Sequence, residues 1–167
     1  MLPNPLHPAV VHFPLVLAFL FPLFAASGFL AIRRGAAARR AWLLPSAFAI
    51  AVAGSAWLSV ETGETQGKRV ERVVGEQPME SHEETAEAFL AMAVAVAAVA
   101  AAGLVRGFTG QAARMLTMVG SLALMGMAIR VGHTGGQLVY RHGAASAYTA
   151  KGGTVSTPPT RGNEDEQ

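Results

Sequence analysis

The chain has 167 residues, 51% of them hydrophobic and only 14% charged, with a formal net charge of +2 and no cysteine. The charge content is about half that of a soluble domain, which points to a membrane protein. The lack of cysteine excludes disulfides, thiolate metal sites and covalent c-type haem.

Four apolar stretches run from Ala9 to Ile32, Ala41 to Val60, Ala86 to Val105 and Met115 to Gly132, with Glu87 near the start of the third and Arg130 near the end of the fourth as their only charges. Each is near the roughly 20 residues that carry a helix across the hydrocarbon core. A membrane β-barrel needs alternating apolar and polar positions, which these runs lack. The expected architecture is an all-α bundle of four transmembrane helices over residues 1–148, with helices at about 9–32, 41–60, 82–105 and 115–133.

The opening MLPNPLHP has no Lys or Arg, and the first run is too long for a signal peptide, so it reads as a retained span. Pro8 suits a first helical turn, whereas Pro14 and Pro22 should kink the helix. In the second helix, Pro45 falls in the first turn, and Ala47, Ala51, Ser55 and Ser59 form a stripe of small residues for close packing. Gly35 and Thr62-Gly63 read as loop residues. Ser81-His82-Glu83-Glu84 has the form of a capping box, which starts the third helix near His82. Ala86, Ala93, Ala97 and Ala100 continue the His82 face. In the fourth helix Gly126, Arg130 and His133 share a side, and Gly135-Gly136 stops the helix. The tail over residues 149–167 is polar, without an apolar face, and is expected to be disordered.

Charge sets the expected orientation. Arg33, Arg34, Arg39, Arg40, Arg106 and Arg114 fall in the first and third loops, and all eleven acids fall on the other side. Lys/Arg-rich loops stay in the cytoplasm, so both termini should face outward across a bacterial inner membrane. Lys68, Arg69 and Arg72 oppose this from within a longer, acid-rich loop. The pI near 9.5 then reflects topology, with the lipid bilayer as partner and no nucleic acid.

All five histidines fall at the same end of these spans: His7, His12, His82, His133 and His142. Ionisable residues at membrane depth default to a functional reading. His12 is the deepest. His7 lies about 140° round the helix from it, at 3.6 residues per turn. His82 sits in a first turn, where the helix dipole favours a neutral imidazole. Imidazole suits haem iron, copper and zinc. Two axial histidines, His12 as the first with His82 or His133 as its partner, and an Ala- and Gly-lined slot would hold haem b, with Arg130 pairing a propionate. A copper or other metal site would draw three or more imidazoles together, taken from His7, His12, His82, His133 and His142. A third possibility is a cofactor-free scaffold with interfacial histidines. No hydrolase or phosphate-loop pattern is present, so the chain reads as an electron-transfer or binding subunit rather than a stand-alone enzyme.

HPAVVHFP at His7–Pro14 and GGQLVYRHG at Gly135–Gly143 resemble the signatures of a family of bacterial four-helix membrane proteins known only as a domain of unknown function. Its members usually place a histidine at the head of the third helix, as His82 is here, and some read HxGGxL, as His133–Leu138 does. The resemblance covers the chain except for the tail and most of the second loop. It implies a b-type haem or redox membrane protein working beside a membrane or periplasmic cytochrome.

Overall fold

In the computed structural model, which describes residues 6–149, the chain begins with a single turn, α1 (His7–Val10), and continues as α2 (His12–Arg33). Pro14 has no N–H to give the Val10 carbonyl, and the helix is interrupted at Val11. Gly35, at φ +93°, turns the chain into α3 (Ala38–Val74).

At 37 residues α3 is about 55 Å long at 1.5 Å per residue, against a hydrocarbon core of roughly 30 Å. Residues 61–74, expected as a loop, continue the helix. The fall in hydropathy marks where α3 leaves the bilayer rather than where it ends, because Glu, Gln, Lys and Arg are good helix formers. The extension is anchored by Val70 and Val74, which pack with Met79, Leu138 and Ala144.

A single residue, Gly75 at φ +86°, joins α3 to α4 (Glu76–Ala102). The capping box at Ser81 is therefore not a helix start. It lies inside α4, where Thr85 Oγ1 donates to the Ser81 carbonyl. Gly135-Gly136 likewise does not end the last long helix, α5 (Gly107–Tyr140), which continues a further turn. A short helix, α6 (Ser146–Thr149), folds back on the α3 extension. Arg69 Nε donates to the Ala147 carbonyl at 2.8 Å, Tyr148 Oη donates to Gln66 Oε1 at 3.0 Å, and the Arg69 guanidinium lies 5.0 Å from the Tyr148 ring centre. Burial pushes the Tyr148 phenol above its ordinary range, with Arg69 pulling the other way. The expected tail disorder concerns residues that, from 150 on, lie outside those described.

Short connections make successive long helices antiparallel, and they close a four-membered ring in which α2 and α4 each pack on α3 and α5. The core between them is built from Ala18, Phe21, Ala49, Val52, Ala56, Phe89, Ala93, Val96, Ala100, Leu124 and Ala128. So many alanines let the backbones approach closely. On α3 the packed stripe is Ala49, Val52, Ala56 and Ser59; Ala47 and Ala51, expected there, are exposed. Phe13, Leu23, Ile50, Leu116 and Val119 are exposed on the outside, where a membrane protein meets lipid tails.

The arginine-rich end holds one departure from the charge reading. Arg33, Arg34, Arg39, Arg40 and Arg106 are exposed, but Arg114 is buried and is not a loop residue. It closes the end of α4, donating from Nε to the Gly103 carbonyl at 2.8 Å and from Nη2 to that of Val105 at 3.2 Å. Nearby, Trp42 Nε1 and Ser46 Oγ both donate to the Ala100 carbonyl.

Candidate functional site

His7, in the first turn of α1, lays its ring against α3 at Gly63. A Cβ at position 63 would stand 3.1 Å from His7 Cε1 and 3.2 Å from Nδ1, so only glycine leaves the helix surface open to the ring. His7 Nδ1 lies 2.9 Å from the Ser59 carbonyl oxygen. A carbonyl can only accept, so Nδ1 carries the proton and Nε2 presents its lone pair. Thr62 Oγ1 stands 3.5 Å from the same nitrogen.

The second imidazole repeats this arrangement on another pair of helices. His82, on α4, lays its ring against Gly135 of α5, where a Cβ would stand 3.1 Å from Cε1. Its Nδ1 lies 2.9 Å from Thr134 Oγ1, whose own proton goes to the Val131 carbonyl at 3.0 Å. The hydroxyl must therefore accept from Nδ1–H, and His82 too presents Nε2 as a lone pair. A Thr-Gly step cradles each ring: Thr62-Gly63 for His7 and Thr134-Gly135 for His82.

Both histidines are half-buried and within electrostatic reach of each other. Neither Nε2 has a hydrogen-bond partner among the described residues, and neither is sealed from the surface. Gly67 faces Glu83, whose Oε1 is 3.2 Å from a Cβ placed there.

The other sequence-derived candidates lie elsewhere. His12 is exposed on the outer surface. Arg130 and His133 share a face, as expected, but that face is exposed rather than turned into the bundle, and His133 Nε2 accepts from Gln137 Nε2 at 2.9 Å. His142 is exposed and lines a shallow open groove with Gln77, Ser81, Thr134 and Gln137. Among the described residues no three His, Asp or Glu side chains converge on one point, so the expected cluster of three or more imidazoles does not form there. The threonine–glycine cradles were missed because glycines near the end of an apolar run read as helix terminators. The usable signal was the same dipeptide recurring at the histidine end of two spans.

Comparison with curated proteins and with solved structures gives no match. Residues 3–147 match the family described as predicted membrane protein (DUF2231), and the four long apolar helices agree with that description. The chain is a member of this family of membrane proteins.

Proposed function

We propose that the histidine end of the bundle is a noncovalent haem b site, which His7 and His82 would hold through their Nε2 atoms, serving electron transfer on the outer side of a bacterial inner membrane. The observation that carries this reading is the pair of imidazoles whose Nδ1–H groups are engaged and whose Nε2 atoms lack a protein partner. A ligating histidine characteristically donates its other nitrogen in this way, which fixes ring orientation and raises the basicity of the ligating atom.

The donor set fits haem. Two neutral imidazoles fill two positions, and a porphyrin brings its own four nitrogens, so the lack of a third converging ligand among the described residues is no obstacle. A copper site built from protein ligands alone wants three or more. Bound haem would supply a one-electron iron couple. The chain's own part is to hold both imidazoles neutral and oriented beside an apolar, alanine-rich interior. The exposed arginines at the opposite end favour the cytoplasm, which leaves this site facing a membrane or periplasmic cytochrome.

The test is the visible spectrum of full-length protein purified in detergent, before and after addition of haemin. A Soret band that is lost in both His7→Ala and His82→Ala supports the proposal. Stoichiometric copper without a Soret band would replace it with a copper-handling role. No chromophore and no metal would leave a cofactor-free scaffold.

A further inference from the structure

The two cradles differ in what accepts the imidazole proton. His7 donates to a main-chain carbonyl, that of Ser59, which no side-chain substitution removes. His82 donates to the hydroxyl of Thr134. That hydroxyl is not free to choose its role: its proton is committed to the Val131 carbonyl three residues earlier, a bond a helical threonine makes readily. Facing His82 it has only lone pairs to offer. An unconstrained histidine side chain favours the opposite tautomer, with the proton on Nε2, so something must hold the proton on Nδ1.

We propose that Thr134 is the positioning residue that selects Nε2 of His82 as the presented nitrogen, making His82 the adjustable member of the pair and His7 the fixed one. Gly135 contributes space. With a Cβ there at 3.1 Å from Cε1, the ring would have to withdraw by a few tenths of an ångström and lengthen the bond to Thr134. The adjacent Gly136 has nothing within 4 Å of its Cβ position, so the cradle is confined to residues 134 and 135. The inference rests on the ligand reading above only for its consequence. The tautomer is a property of the cofactor-free protein.

The experiment is nitrogen NMR of full-length, cofactor-free protein in detergent, labelled at histidine, at a pH well above the ordinary histidine value of about 6.5. His82 is assigned by loss of its signals in His82→Asn. In the wild type both His7 and His82 should carry the proton on Nδ1. Thr134→Ser, which keeps the hydroxyl, should preserve that state for His82. Thr134→Val should turn it into the minor form, while His7 stays Nδ1-protonated and reports an intact fold. A wild-type His82 protonated on Nε2, or an unchanged His82 in Thr134→Val, overturns the proposal.

Haemin titration of the same samples separates the two readings. If the haem reading is right, Thr134→Val should weaken binding by about 10-fold or more, as loss of a partner behind a ligating histidine does, and Thr134→Ser should restore it. If no variant yields a Soret band but the tautomer switches as described, the haem reading fails and the role of Thr134 stands. If the tautomer switches in Thr134→Val but haemin binds as in the wild type, His82 is not a ligand, the haem reading with His7 and His82 fails, and the role of Thr134 stands.

Discussion

Arg114 gives its Nε–H to the carbonyl of Gly103 at 2.8 Å, so a cation from the first turns of α5 closes the last turn of α4. The end of a helix leaves carbonyls without partners, and in a membrane protein little water reaches them. Arg114→Met should remove two charge-assisted bonds and cost about 3 kcal/mol of stability, at roughly 1.5–3 kcal/mol for each such bond. Arg106→Gln, at an exposed position, should change stability by less than about 0.5 kcal/mol. Unfolding midpoints of both variants in one detergent check the contrast.

The described chain begins beside Ser59–Gly63 and ends beside Gln66, which puts both of its ends at the histidine side of the bundle. With the exposed arginines at the other side, reporters fused after Arg40 and after Gln167 should give opposite signals, cytoplasmic for the first and external for the second. A cytoplasmic signal from the Gln167 fusion would reverse the orientation and move the site to the inner face.

Haemin binding should distinguish among the histidines. His7→Ala and His82→Ala should each abolish or sharply reduce the Soret band in protein that still inserts. His12→Ala, His133→Ala and His142→Ala, at exposed positions, should retain most of it, and Arg130→Gln should leave the midpoint potential unchanged. Loss of the band in His12→Ala alone would transfer the ligand role to the outer surface.

Neighbouring glycines should respond in opposite ways. Gly136→Ala meets nothing within 4 Å and should stabilise α5 by up to about 1 kcal/mol through helix propensity. Gly135→Ala and Gly63→Ala meet an imidazole at 3.1 Å and should lose that gain while weakening haemin binding. Thermal midpoints and haemin titrations of the three variants, run in parallel, read this out.

The folded-back end of the chain makes a separate prediction. Tyr148→Phe removes the bond to Gln66 and should cost about 1 kcal/mol, whereas Arg69→Ala removes both the bond to Ala147 and the contact with the Tyr148 ring. Limited proteolysis should cut after residue 140 fastest in Arg69→Ala, more slowly in Tyr148→Phe and slowest in the wild type.

Four spans and a histidine-bearing end were legible because hydropathy and charge segregation act over about twenty residues at a time. The helix boundaries were not, since Glu61–Val74 is polar enough to leave the bilayer yet helical enough to continue. The choice among histidines was also hidden. His7 and His12 are five residues apart in one motif, and the interruption at Val11 separates their short helices, so spacing alone did not say that His7 would meet α3 while His12 faced outward. The partners of the two rings lie 52 residues away in each case, beyond the reach of any local pattern.

The one-residue link at Gly75 makes the stretch from Gly63 to His82 a molecular ruler. It has no loop in which an extra residue could be absorbed. One inserted residue above His82 would rotate the imidazole by about 100° and shift it by about 1.5 Å along α4, taking it away from Thr134. Most solvent-facing positions in that stretch can change identity, but its length cannot. Variation along the hairpin should therefore take the form of substitutions rather than insertions or deletions.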